Sequence, residues 1–382
     1  MKILVIHAHT IDDYPPTYNL IRNLLDHGHQ VTLMSYDSGK LKHNTEKNFF
    51  NCEIKGTWGS LSVTEKANFN FFQKIKMYFT QKKTFQDCFL SNSVNQDLIW
   101  ITSSKAIHML GDLLIGQKYI LQLMELERDI PKYPKQHLVM MGLSKYARGA
   151  YKVVVPEYNR GQILKAWWGL EQNPIVLPNK PYSLSLEKLN DKEKEKYKII
   201  CDEKRKIILY QGVFGNDRNL TEYAKAAYSL KDKFAFYLLG EAKNKKIQVE
   251  LEKQISCNPE TKILGFISPP NHLYFTQLAW IGLLPYQAKI VDDMDILNAV
   301  YCAPNKIYEY AAYGVPMLGP DLPGLHYPFM QYNMGRCVNS VSSESIVNAI
   351  LEIDRHHDEM SRNCKAFYNS VDMGQLVEQI IH

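Results

Sequence analysis

Short apolar runs alternate with amphipathic stretches along the first half of the chain, as a parallel sheet with crossover helices requires, because such strands are covered on both faces. Residues 2–6 read as a first strand. Residues 17–27 place Leu20, Ile21, Leu24 and Leu25 at helical spacing, and Gly28 ends that helix before a strand over 30–34. After a long insertion the pattern predicts strands over 97–102, 119–123, 152–155 and 175–177. Helices are expected between them over 106–114, 136–150 and 158–168.

From residue 185 to 206 the composition shifts to lysine and glutamate with few apolar positions, the signature of a solvated helical linker. The alternation then restarts, with strands expected over 207–210, 234–239, 262–264, 281–284 and 315–318 and a helical tail over 343–381. The expected organisation is α/β: a Rossmann-like domain over 1–184, a linker over 185–206 and a second Rossmann-like domain over 207–365. Residues 366–382 are expected to pack back on the first. Ligands of open α/β sheets sit beyond the carboxyl ends of the strands, so two such sheets would frame an interdomain cleft.

Length and composition fit this reading. A chain of 382 residues exceeds one ordinary core, and 45% hydrophobic with 22% charged residues is typical of a globular protein. Seven scattered cysteines without a C-x-x-C pair argue against a disulfide framework or zinc knuckle, and favour a reducing compartment. With no signal-peptide pattern and no stretch of about 20 apolar residues, the expected location is cytoplasmic, with any membrane contact peripheral. A net charge of +5 is mild, and no nucleic-acid-reading pattern accompanies it. The excess suits phosphate-bearing substrates or an anionic membrane face.

The most informative segment runs Ala303-Pro304-Asn305-Lys306-Ile307-Tyr308-Glu309-Tyr310-Ala311-Ala312-Tyr313-Gly314-Val315-Pro316. It reads as a short helix with proline near its start and glycine just past its end. Lys306 and Glu309 share one face near the N-terminus, where free N–H groups favour an anion. A diphosphate would sit beside Lys306, and Glu309, one turn deeper, would accept hydrogen bonds from ribose hydroxyls. A surface ion pair on a structural helix is the alternative.

This segment, followed by Asp321-Leu322-Pro323-Gly324, resembles the donor-site motif of GT-B glycosyltransferases, most closely the large retaining family that builds bacterial capsules, exopolysaccharides and lipopolysaccharides. Tyr210-Gln211-Gly212 with Gly215 and Arg218 beyond, Leu239-Gly240, Leu264-Gly265-Phe266 and Ile281-Gly282-Leu283-Leu284-Pro285-Tyr286 recur in the family's order. The resemblance implies that Arg218 and Lys306 hold the donor diphosphate, Glu309 the ribose and the backbone around Phe266 the base, with Gly215, Gly240 and Asn305 in the same donor site. It assigns the first domain to the acceptor. Two features depart from the family. Tyr301 stands eight residues before Glu309, where a second glutamate is common, and His7-Ala8-His9-Thr10-Ile11-Asp12-Asp13 replaces the usual Gly-rich turn.

Other candidates are less specific. Glu125, at a strand's end, lies where the family places an acidic or histidine residue facing the sugar, and is the candidate catalytic residue; an exposed loop carboxylate is the alternative. His7 and His9 lack a third ligand and read as loop-lining side chains. Asp293-Met294-Asp295 matches the D-x-D of a different, metal-dependent fold, but Arg218, Lys306 and a helix start can supply the charge, so no metal and no cofactor is expected. Residues 69–89 interleave Phe69, Phe71, Phe72, Ile75, Tyr78 and Phe79 with Lys74, Lys76, Lys82 and Lys83. That mixture suits either a helix lying on an anionic membrane or a core-packed helix with a solvated lysine face. Trp167 and Trp168 read as packing residues.

The expected function is transfer of a sugar from a nucleoside diphosphate donor to a glycan acceptor, lipid-linked, in bacterial surface polysaccharide synthesis. The course is expected to be retaining and metal-independent. A sugar-nucleotide epimerase of the same fold and a noncatalytic nucleotide-binding subunit are the rivals. A dinucleotide oxidoreductase is disfavoured because no G-x-G-x-x-G follows the first strand.

Overall fold

The computed structural model describes residues 1–55, 70–129, 142–215, 218–242, 244–288 and 293–382. The chain divides into one unit of Met1–Tyr182 with Asp372–His382 and a second of Ser183–Val371. Each is built on a parallel sheet.

In the first unit the strands are β1 (Lys2–Thr10), β2 (Gln30–Asp37), β3 (Phe49–Glu53), β4 (Leu98–Ile101), β5 (Tyr119–Gln122), β6 (Lys152–Val155) and β7 (Ile175–Val176), in the order β3-β2-β1-β4-β5-β6-β7. Ile3, Leu4, Val5 and Ile6 are all fully buried, as expected of a strand covered on both faces. Lacking a glycine, the sequence does not turn after Ile6. The strand continues through His7, with an irregular register before Thr10, and a 3-10 turn at Ile11–Asp13 leads into the helix Pro15–Asp26. The helix Met373–Ile381 packs on this unit, where Glu378 meets His29 Nε2 at 2.7 Å and Lys152 donates to the Ile380 carbonyl at 2.8 Å.

The second unit contains β8 (Lys206–Gln211), β9 (Phe234–Leu239), β10 (Lys262–Gly265), β11 (Ile281–Leu283), β12 (Met317–Pro320) and β13 (Gly335–Val338), in the order β10-β9-β8-β11-β12-β13. Alternate residues of β8 and β9 feed cores on opposite faces. Ile207, Leu209, Ala235 and Tyr237 pack with Ile307 and Tyr310, while Ile208, Tyr210, Phe234 and Phe236 pack with Tyr223, Ile346 and Ile350. The sheets reverse direction of winding between β1 and β4 and between β8 and β11. At these points the carboxyl ends of adjacent strands diverge and a crevice opens.

Three readings shift on comparison. The helix expected over 106–114 begins at Ser104 and gives way at Gly111 to a 3-10 turn. The helix expected over 136–150 is seen as Leu143–Gly149, its earlier part lying outside the described residues. Edge strands β3 and β13 were not anticipated. Within the residues read as a linker, Asn190 and Glu193 form a capping box on the helix Asp191–Cys201.

Candidate functional site

The donor-site candidates of the second unit converge at the carboxyl ends of β8 and β9. The helix Asn305–Ala312 is held against β8 by Tyr310, whose hydroxyl donates to the Leu209 carbonyl at 3.0 Å. Pro304 precedes the helix and its side chain offers no cap, so the first turn, with Asn305 and Lys306, carries the positive end of the helix dipole. Lys306 lies over Gly212: a Cβ added there would stand 2.5 Å from the lysine Cε and 2.8 Å from Nζ. Gly240 in turn passes so close to the Gly212 carbonyl that a Cβ would lie 1.9 Å from its oxygen. Both glycines also hold positive φ, so side chains are excluded by space and by backbone conformation. The result is a bare backbone floor beneath an ammonium group.

Glu309, one turn in from Lys306, is largely buried and has both carboxylate oxygens engaged. Gln211 Nε2 donates to Oε2 at 2.6 Å, and His272 Nε2 stands 3.3 Å from Oε1. Gln211 is oriented by Thr276, whose hydroxyl donates to its Oε1 at 2.6 Å. Burial opposes ionisation of Glu309, but the attraction and hydrogen bond of His272, the charge of Lys306 and the hydrogen bond from Gln211 outweigh it and hold the carboxyl below its ordinary range. The side chain is thus a fixed, ionised acceptor. Gln211 belongs to the Tyr210-Gln211-Gly212 segment that resembles the family, without a role assigned from the sequence, whereas His272 and Thr276 follow β10 without any distinctive spacing.

Arg218 pairs with Tyr286 in an antiparallel bridge, its guanidinium carbon 3.8 Å from the ring centre, and its N–H donates to the Gly215 carbonyl at 3.1 Å. This places Arg218 and Gly215 at the switch point between β8 and β11. Phe266 follows β10 with its side chain half exposed and its carbonyl accepting from Lys196 at 3.2 Å, and Gly240 donates to the adjacent Gly265 carbonyl at 3.0 Å. The side chains of Asp293 and Asp295 lie outside the described residues.

In the first unit Glu125 follows β5 and is largely exposed. It is tied at 2.9 Å to Arg160, a buried guanidinium that also donates to the Met124 carbonyl at 2.9 Å. Glu127, which the sequence reading passed over, is more enclosed. Its Oε2 is buried with no hydrogen-bond partner, and burial, offset in part by a hydrogen bond from Ser104 and reinforced by the charge of Glu125, raises the carboxyl to about 7. At the switch point beside β1, His7 Nδ1 meets the Thr102 hydroxyl at 2.8 Å, with the His9 and Tyr14 rings 5.6 and 4.5 Å away. Burial, with the charge of His9, lowers His7 to about 3, and burial with the charge of Lys105 lowers His9 to about 4. Both imidazoles are therefore neutral near pH 7. Among the described residues no group of three or more His, Cys, Asp or Glu could hold a metal ion.

Two parallel Rossmann-like sheets on one chain, the second with a glycine floor at its switch point, make up the GT-B fold, and solved structures share that fold along the whole chain. Sucrose-phosphate synthase from Thermosynechococcus elongatus superposes with a TM-score of 0.71 at 14% identity, covering 100% of this chain and 97% of that one. Anabaena HepE in complex with UDP and glucose gives 0.67 at 13% identity, covering 100% and 98%. WaaG, a glycosyltransferase involved in lipopolysaccharide biosynthesis, gives 0.61 at 11% identity, covering 99% and 98%. No protein-family model and no curated protein matches the sequence.

Proposed function

We propose that this chain is a glycosyltransferase that moves a sugar from a nucleoside diphosphate sugar to a glycan acceptor. The carrying observation is the Lys306 ammonium above the Gly212 and Gly240 floor, with the buried carboxylate of Glu309 one turn deeper. In such a transfer the bond between the anomeric carbon and the diphosphate oxygen breaks, and negative charge grows on the departing nucleotide. Lys306, Arg218 and the helix N-terminus would stabilise that charge without reorganising, and Glu309 would accept from the ribose hydroxyls. Similarity in fold to a protein solved with UDP and glucose supports a nucleotide-sugar ligand.

The finer reading is retaining, metal-independent transfer to a lipid-linked glycan at the cytoplasmic membrane face, in surface polysaccharide synthesis. Fold similarity to a lipopolysaccharide glycosyltransferase and the exposed aromatics and lysines of the helix Phe71–Ser93 support it. On the acceptor side Glu127, with its unpartnered buried oxygen, is a better candidate than Glu125 to engage an acceptor hydroxyl, because Glu125 is committed to Arg160.

The test is titration calorimetry with uridine, guanosine and thymidine diphosphates. Lys306→Ala should weaken the preferred diphosphate about tenfold, about 1.4 kcal/mol, and leave the nucleoside nearly unaffected. Glu309→Ala should abolish most turnover while the fold persists by circular dichroism, and turnover should survive EDTA and the Asp293→Asn, Asp295→Asn pair. Unchanged diphosphate affinity in both single variants would refute the donor site. Loss on chelation, restored by manganese or magnesium, would refute metal independence.

A further inference from the structure

Apart from the nucleotide site, one pair of reactive groups is brought together by the fold. Cys52 lies near the end of edge strand β3, and Cys88 lies about five turns into the helix Phe71–Ser93. Their sulfurs are 3.0 Å apart, although the residues are 36 positions apart in sequence. Asn92, one turn beyond Cys88, directs its amide at both, 3.5 Å from Cys52 Sγ and 3.6 Å from Cys88 Sγ. Both thiols are only half buried, so a small oxidant can reach them.

We propose that Cys52 and Cys88 are an oxidative modification site, in which a peroxide converts the two thiols to a disulfide that staples the helix Phe71–Ser93 to the edge of the first unit's sheet. The sulfurs already approach within van der Waals contact, so bridging requires little backbone movement. The contact also differentiates the two thiols. The hydrogen bond from Cys88, opposed by burial and helped by that from Asn92, brings Cys52 down to about 7, while the same pairing together with burial pushes Cys88 up. Cys52 is then the nucleophile and Cys88 the resolving thiol.

The chemistry balances with hydrogen peroxide as oxidant. The Cys52 thiolate attacks one peroxide oxygen, the O–O bond breaks, and the departing hydroxide takes a proton to become water, leaving a sulfenic acid on Cys52. The Cys88 sulfur then loses its proton and attacks Cys52 Sγ; the S–O bond breaks and a second water leaves. Two thiols are oxidised by two electrons, and one peroxide is reduced to two waters.

The other thiols serve as internal controls. Cys201 is exposed, Cys257 and Cys337 are half buried, and Cys302 and Cys364 are buried. The experiment takes the reduced full-length chain, adds hydrogen peroxide equimolar to the chain, blocks remaining thiols and maps the peptides without reduction. Free thiol should be lost equally at positions 52 and 88 as one cross-linked peptide, before oxidation at Cys201. In Cys88→Ser, Cys52 should instead accumulate as a sulfenic acid that a dimedone probe captures, and Cys52→Ser should abolish both products. Oxidation of Cys52 to sulfinic acid without a bridge in the wild-type chain, or reaction at Cys201 first, would overturn the proposal.

Discussion

Glu309 and Glu127 show how surroundings far off in sequence set the behaviour of a single carboxyl. Both are enclosed, yet Glu309 is held below the ordinary range because His272, Lys306 and Gln211 stabilise its charge against burial, whereas Glu127 has no cation to offset its burial and rises from 4.5 to about 7. The linkage therefore has opposite sign at the two sites. Glu309 contributes stability that is present above its unfolded value and lost as pH falls through its folded one. Glu127 binds its proton more tightly when folded, so its ionisation subtracts stability as pH rises from about 4.5 to 7 and the penalty is constant above that. Glu127→Gln should accordingly leave stability unchanged at pH 4 and raise it at pH 8 by roughly 2 kcal/mol, an order of magnitude set by that displacement at 1.36 kcal/mol per pH unit with some screening. Urea denaturation at the two pH values checks this, and parallel wild-type and variant curves would exclude the buried carboxyl. Glu309 was legible in the sequence because its spacing from Lys306 at a helix start carries the chemistry locally. Glu127 was not, since its burial and the Ser104 contact arise only through the fold.

Among elements, the helix Phe71–Ser93 packs into the core along its later turns and leaves aromatics and lysines exposed along its first ones. Asn70 and Gln73 cap its start reciprocally, and its later turns bury Gln81, Phe85 and Phe89, with Tyr78 meeting His108 at 2.6 Å. Its first turns instead leave Phe72 80% and Phe79 63% exposed, alongside exposed Lys74, Lys76 and Lys83. The two phenylalanine sets should respond differently: Phe89→Ala should cost about 3–5 kcal/mol and lower the melting temperature, while Phe79→Ala should cost almost nothing. If the exposed face meets an anionic membrane, each lysine adds about 1 kcal/mol of attraction that salt screens, and the aromatics add a part that salt does not. Replacing Lys74, Lys76, Lys82 and Lys83 with Ser should then release the chain from anionic vesicles in cosedimentation without changing turnover on a soluble acceptor. Equal recovery from neutral and anionic vesicles would end the membrane reading. Strands β3 and β13 escaped notice for a related physical reason. Phe50 and Asn51 are exposed in the first, and Arg336 breaks the apolar run of the second, as edge strands with only one neighbour permit.

At the scale of the whole molecule, the central strands were legible because β1, β4, β8 and β9 are apolar on both faces, a pattern that only a covered parallel sheet requires. What the pattern could not supply is the meeting of Gln211, Gly212, Gly240, Lys306 and Glu309, which come from three separate crossovers and meet only because β8, β9 and β11 are neighbours. That arrangement has a consequence for the distribution of stability, since each unit has its own sheet with buried apolar residues around it. A nucleoside diphosphate bound at the Gly212 floor touches groups of the second unit, so its binding free energy should appear there first. At a ligand concentration 100 times Kd the second unit should gain about 2.7 kcal/mol. Hydrogen exchange of the full chain with and without the preferred diphosphate should show slowed exchange in peptides spanning 211–215, 239–242 and 303–312. Peptides spanning β1, β2 and β4 should exchange as before. Lys306→Ala should reduce the slowing at all three segments together, from about 2.7 to about 1.4 kcal/mol for a tenfold weaker Kd, because one ammonium and one backbone floor serve the same anion. Protection confined to the first unit, or persisting unchanged in that variant, would show that the diphosphate binds elsewhere.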